Sequence, residues 1–290
     1  MTAVFASIAR LHIVAIGAMG TFTFAWALTG VYAWPLALLA ACDWFVVNIV
    51  NRVVDLVEDE RNAVTGADVV ARHRQKAVAI GVSVLLASLL VSAVWMPATL
   101  PARLAFHALG FAYNYKLVPW PGGRRRIKEM MLWKNVASAC GFLLTCFAMP
   151  LLMYPLLPDV DVLTVAFAVG FFFFFELSYE VLYDLRDVDG DRLIGAQTWP
   201  VLFGPRGGSA VAIGQMFAAF VAVVVGYASG HLPWRIAVMG AAPLMQLAVI
   251  VPRLPHGVTS SVCIGLTWLG TALLATYHVW QYLGLPGSAP

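Results

Sequence analysis

Long apolar runs separated by short polar clusters dominate this chain. Read between prolines, glycines and charge clusters, the runs fall at about 8–30, 34–57, 77–97, 100–117, 130–154, 161–185, 208–230, 233–251 and 259–283. Crossing the hydrocarbon core takes ~20 residues of α-helix. The pattern therefore predicts an all-α polytopic membrane protein with nine transmembrane helices, the fourth being the shortest. Two runs carry acids at one end. The second ends in NRVVDLVEDE, where Asn51, Asp55 and Asp59 stand at i, i+4 and i+8, flanked by Glu58 and Glu60. The sixth passes from FFFFF into ELSYEVLYDLRDVDGDR, where Glu176, Glu180, Asp184, Asp187 and Asp191 follow at steps of four, four, three and four. On a helix each set forms one narrow stripe.

Composition agrees with the pattern. The 290 residues are 61% hydrophobic and 11% charged, with a mean hydropathy of +0.82, whereas a soluble domain carries about 25% charged residues. One membrane domain spanning 1–290 is expected, with no nucleic-acid partner. Cys42, Cys140, Cys146 and Cys263 sit in apolar stretches without CxxC spacing, so they read as small packing residues rather than a disulfide or zinc site. The first apolar stretch lacks a basic leader and reads as a span rather than a cleaved signal.

Lysine and arginine placement gives an orientation. Arg61, Arg72, Arg74 and Lys76 follow span two. Lys116, Arg124, Arg125, Arg126 and Lys128 follow span four. Arg186, Arg192 and Arg206 follow span six, and Arg253 follows span eight. The intervening connections hold only Arg103 and Arg235, and the one after span five is acidic, with Asp159 and Asp161. The even-numbered connections are expected in the cytoplasm, with the N-terminus inside and the C-terminus on the opposite side.

Five carboxylates against an apolar run are costly to bury without a cation or a watery cavity. Two acidic stripes at one membrane depth suggest a shared site. Its hard oxygen ligands suit Mg²⁺, which keeps waters and bridges to substrate phosphates. The nearby basic residues suit phosphate oxygens, with Arg61 and Arg192 placed closest to the acids. Part of that basic set is also simply the topology signal. Acids for metal, metal for phosphate and bases for the remaining oxygens together describe a diphosphate site, where a carbon–oxygen bond breaks to leave an allylic cation. Deeper in span two, Asp43 and Asn48 read as helix–helix hydrogen-bonding residues.

These motifs carry a resemblance. NRVVDLVED is similar to the NxxxDxxxD first motif of the UbiA superfamily of intramembrane prenyltransferases. DLRDVDGDRLIGAQTWPVLFG resembles its second motif in the homogentisate, chlorophyll and archaeal glyceryl-phosphate prenyltransferase form, and YNYKLVPWPG resembles its Tyr/Lys segment. The resemblance implies nine helices around a central cavity, an active site at the cytoplasmic side, and Mg²⁺-dependent transfer of a prenyl group from a prenyl diphosphate to an aromatic or other lipophilic acceptor. It implies two Mg²⁺ ions, one held by Asn51, Asp55 and Asp59 and the other by Asp184, Asp187 and Asp191. Lys116 and Arg61 would contact the diphosphate. Glu180 would face the acceptor or complete the metal shell. Tyr113, Tyr115, Tyr179 and Tyr183 would line the prenyl tunnel or stabilise a carbocation by ring contacts, although interface anchoring or packing is the simpler explanation for any one of them. Glu176 reads as a paired or protonated core acid.

The chain departs from the family pattern after the first motif. It continues ERNAVTGADVVARHRQK, without the usual prolines, which bears on the acceptor more than on the metal chemistry. A membrane terpene cyclase, quenching the same cation internally, is the alternative within the fold. A cation transporter is the alternative from another class; the missing inverted repeat and the clustering of acids at one face argue against it.

Overall fold

The structure, a computed structural model, describes residues 2–61 and 64–284. The chain begins with α1 (Thr2–Ile8), α2 (Leu11–Thr29), α3 (Trp34–Val54), α4 (Leu56–Arg61), α5 (Ala67–Arg72), α6 (Arg74–Trp95) and α7 (Leu100–Asn114). A two-stranded hairpin, β1 (Val118–Trp120) with β2 (Gly123–Arg125), pairs Val118 with Arg125. Then come α8 (Met131–Leu143), a π-helical turn, α9 (Met149–Met153), α10 (Val162–Ile194), α11 (Trp199–Ala228), α12 (Trp234–Ala237), α13 (Ala241–Ile250) and α14 (Ser260–Tyr282).

Among the described residues seven helical stretches are long and apolar enough to cross a membrane: Leu11–Thr29, Trp34–Val54, Arg74–Trp95, Trp133–Met153, Val162–Leu193, Trp199–Ala228 and Ser260–Tyr282. The other two predicted spans are also helical but shorter. α7 has 15 residues and stops where Tyr115 turns extended to enter the hairpin. The stretch 234–250 is divided by a tight turn at Val238–Gly240. Among the described residues seven helices therefore meet the length of a full crossing, and the count of nine is not confirmed.

α2, α3, α7, α8, α10 and α14 touch in that order, and α14 closes on α2. This ring surrounds the interior; α6 packs outside α3 and α11 outside α10. α2 and α3 approach closely because Gly17 has no side chain: a Cβ there would lie 2.4 Å from the Trp44 ring. Leu86, Leu90 and Val94 on α6 and Phe217, Val221 and Val224 on α11 point outward, as lipid-facing residues do. α10 is capped at its start by Asp161, which accepts the Thr164 N–H at 2.6 Å. It ends on Gly195, in the left-handed conformation. Its 33 residues would span ~50 Å, well beyond the ~30 Å hydrocarbon core. Its last turns, which carry Asp184 to Asp191, therefore reach the polar boundary. α11 bends at Gly204 (φ 74°, ψ 170°), just before Pro205.

Two cations from the sparsely charged connections prove to be buried. Arg103, 1% exposed, lies against Asp43. Arg235, 3% exposed, holds Asp159 at 2.6 and 2.8 Å and the Ala27 carbonyl at 3.0 Å.

Candidate active site

The two acidic stripes meet. Asn51 lies near the end of α3, Asp55 at the junction with α4 and Asp59 on α4. The junction keeps its helical spacing because Asp55 N–H bonds the Asn51 carbonyl at 2.9 Å and Asp59 N–H bonds that of Asp55 at 2.8 Å. All three line a cavity of about 540 Å³ together with Glu180, Asp184, Asp187 and Asp191 of α10. The cavity floor is aromatic: Trp44 stacks on Phe142 at 4.0 Å between centroids and meets Phe106 edge-on at 5.1 Å. A second, mostly apolar cavity of about 220 Å³ shares Ile13, Phe142, Glu180 and Tyr183 with the first. It runs among Phe24, Phe171, Phe175 and Leu273 toward Trp280 and Gln281, near the end of α14.

Each aspartate of the two stripes has a cationic neighbour. Asp55 Oδ1 lies 2.6 Å from Lys128 Nζ and 3.3 Å from Arg126 Nη1, and its Oδ2 accepts the Asn51 amide at 2.5 Å. Asn51 also donates to Asn114 Oδ1 at 3.0 Å. Arg126 further bonds Glu129 at 2.7 Å. Burial alone would push the Glu129 carboxyl up, but the Arg126 hydrogen bonds outweigh it and hold the group below its ordinary value. Asp59 Oδ2 sits 2.9 Å from Arg52 Nη1, yet no hydrogen bond of sound geometry reaches that oxygen. It is a charge contact that leaves a buried lone pair open. Asp187 pairs with its neighbour Arg186, whose guanidinium also covers the Tyr183 ring at 4.7 Å.

The inner pair on α10 is held differently. Lys134 of α8 places Nζ 2.8 Å from Asp184 Oδ1, and 3.2 and 3.1 Å from the two oxygens of Asp191. Asn135 donates to Asp184 Oδ2 at 2.9 Å. Both acids are 2% exposed. Among the described residues no three acids, histidines or cysteines form a ready-made metal cage.

Other predicted residues divide. Tyr113 and Tyr183 line the larger cavity and Tyr179 the smaller. Glu180 accepts a hydrogen bond from Ser138 Oγ at 2.7 Å, and Glu176, 8% exposed, faces the apolar cavity. Lys116, Tyr115 and Arg192 are exposed and outside both linings, because the turn into the hairpin carries the first two outward and Arg192 lies on the outer side of α10 beside Asp189. The Arg61 side chain and Asn62 lie outside the described residues. Asp43 does join helices, but Asn48 instead lines the cavity with its Nδ2 unpartnered.

Sequence reasoning missed Lys134, Arg10, Arg52 and Asn114, all of which line the cavity. Lys134 had a usable signal, since a charge inside an apolar span is functional by default. Arg10 had none; it adopts a left-handed backbone (φ 46°), the one positive φ among the described non-glycine residues.

The family model for the UbiA prenyltransferase family matches residues 14–256. No curated protein matches the chain. Among solved structures, a UbiA homologue from Archaeoglobus fulgidus bound to GPP and Mg²⁺ is similar at TM-score 0.72 and 16% identity, over 95% of this chain and 98% of that one. The apo UbiA homologue from Aeropyrum pernix K1 aligns at TM-score 0.60 and 14% identity, over 93% and 98%. A digeranylgeranylglyceryl phosphate synthase structure aligns at 0.55 and 12%, over 95% of each chain.

Proposed function

The chain belongs to the UbiA prenyltransferase family, an integral membrane group, and from that premise we propose that it transfers a prenyl group from a prenyl diphosphate to a lipophilic or aromatic acceptor. One observation carries the reading. Acids from two helices more than a hundred residues apart in sequence converge on a polar cavity that continues into an apolar one. That arrangement suits a substrate with a charged head and a hydrocarbon tail. The Archaeoglobus homologues with bound GPP or DMAPP and Mg²⁺ support the same substrate class.

Asn51, Asp55 and Asp59 are the residues that would hold Mg²⁺, whose chemistry is to neutralise charge on a departing diphosphate. The donor set fits, being all oxygen, and Asp59 Oδ2 is a buried acceptor without a hydrogen bond. Arg126, Lys128, Arg52 and Arg10 offer N–H donors to the diphosphate oxygens. The allylic C–O bond breaks with its electron pair passing to the diphosphate. Trp44, Phe106 and Phe142 exclude water from the resulting cation, and their ring faces favour positive charge. The acceptor nucleophile forms the new bond to that carbon. Glu180, oriented by Ser138, takes the proton the acceptor releases. The prenyl chain lies in the apolar cavity along α14. The acid-bearing end faces the cytoplasm in this reading, supported by the cations of the even-numbered connections.

The test is a mass-spectrometric screen of the protein in nanodiscs with several prenyl diphosphates and pooled acceptors. A prenylated product and diphosphate release are expected, both lost in Asp55→Ala and in EDTA. Full activity in either condition overturns the reading. A cyclic hydrocarbon formed without acceptor would assign the cyclase reaction instead.

A further inference from the structure

We infer that the ammonium of Lys134 is a built-in replacement for one of the two metal ions, so that this protein binds its prenyl diphosphate with a single divalent cation. The inference rests on the proposed function and concerns the same cavity.

The two acidic sets are not equivalent. In the first, which lines the cavity, Asp55 has both oxygens engaged, by Lys128 and Asn51, but Asp59 keeps a buried oxygen without a hydrogen bond, in charge contact with Arg52 at 2.9 Å. In the second, the inner carboxylates are closed. Asp184 has one oxygen on Lys134 Nζ at 2.8 Å and the other on Asn135 Nδ2 at 2.9 Å. Asp191 has both oxygens on the same Nζ, at 3.1 and 3.2 Å. Asp184 and Asp191 are seven residues apart, two turns of α10, and the lysine bridges the gap between them from α8. A divalent ion ligated by both would have to occupy the space that Nζ fills, and would repel the ammonium at contact distance.

Lys134 is also more than a fastener between helices. It lines the cavity itself. Set between two carboxylates, its ammonium offsets one of their two negative charges, the task a second cation would otherwise have there. Asp187, the remaining acid of the stripe, is partly exposed, and the guanidinium of the adjacent Arg186 donates to both of its oxygens. The donor chemistry thus fits a metal at Asn51, Asp55 and Asp59 and does not fit a second one between Asp184 and Asp191.

The experiment counts ions rather than turnover. Full-length protein in nanodiscs is saturated with a non-cleavable geranyl thiodiphosphate, and bound Mn²⁺ is titrated by electron paramagnetic resonance. One Mn²⁺ per chain is expected in the wild type and in Lys134→Arg, and two in Lys134→Met. Lys134→Gln serves if the methionine variant does not fold. Two ions in the wild type overturn the inference and leave the proposed function standing. One ion in both the wild type and the neutral variants likewise overturns it, since the lysine would not be what excludes the second. No analogue-dependent Mn²⁺ binding at all overturns both readings together.

Discussion

Replacing Asp43 by alanine should destabilise the protein severely, and the cost can be worked from its surroundings. Asp43 is fully buried on α3, eight residues before Asn51. It accepts Arg103 Nε at 3.2 and 2.9 Å, Arg103 Nη2 at 2.5 Å, and His107 Nε2 at 2.9 Å. Arg103 also donates to the Ser88 carbonyl and to Ser92 Oγ, both at 2.6 Å, so one cluster joins α3, α6 and α7. Two unit charges with centres ~4 Å apart attract by about 4 kcal/mol at an effective dielectric of ~20. Removing one partner leaves the other charged and buried, with a measured cost elsewhere of ~3–5 kcal/mol. At roughly 2–4 °C per kcal/mol for a chain of this size, the melting temperature should fall by roughly 6–20 °C. Thermal unfolding followed by size-exclusion fluorescence in detergent measures it. Asp43→Leu with Arg103→Met should recover most of the loss, because a buried ion pair replaced whole by apolar groups is close to neutral. A fall below ~1 kcal/mol in Asp43→Ala, or no recovery in the double variant, would refute the reasoning.

The other expectations concern the cavity and one ion pair between a buried arginine and a half-exposed acid. Lys128→Met should raise the KM for prenyl diphosphate tenfold or more, the effect of losing a charge-assisted bond of ~1.5–3 kcal/mol, whereas Lys116→Met should leave it within about twofold; equal effects would return the hairpin lysine to the site. Leu273→Trp narrows the apolar cavity and should lower kcat/KM for long prenyl diphosphates while sparing dimethylallyl diphosphate; a uniform loss would place the chain elsewhere. Arg235's hydrogen bonds hold the Asp159 carboxyl below its ordinary value of 3.8. That contribution is fully present above 3.8 and is lost as pH falls through the lower folded value. The Asp159 side chain is 49% exposed, so it amounts to about 1 kcal/mol or less. Arg235→Met should remove this acid-limb dependence of the melting temperature, and an unchanged acid limb would count against it.

Local periodicity made the two acidic stripes legible before any tertiary contact was known. Residues three and four apart on a helix share a face whatever packs against it. Asn51, Asp55 and Asp59, and the α10 acids, therefore had to project together. The apolar runs likewise required helices, because a backbone in lipid must satisfy its own hydrogen bonds. Run length did not settle how many helices are full crossings, since α7 and the 234–250 stretch are shortened by turns that hydropathy does not register.

The partners of the acids were decided only by the fold. Lys116 sits in a promising local motif, but the chain turns into a hairpin there, and Lys128 at its far end is the lysine that reaches Asp55. Arg103 and Arg235 read as loop charges and are buried ion-pair partners instead. Lys134 belongs to no motif with Asp184 and Asp191; helix packing brings α8 against α10 and sets its ammonium between them. Which residues share a helical face is a property of the backbone repeat. Which cation meets which acid depends on the crossing of separate helices, and no short stretch of sequence contains that information.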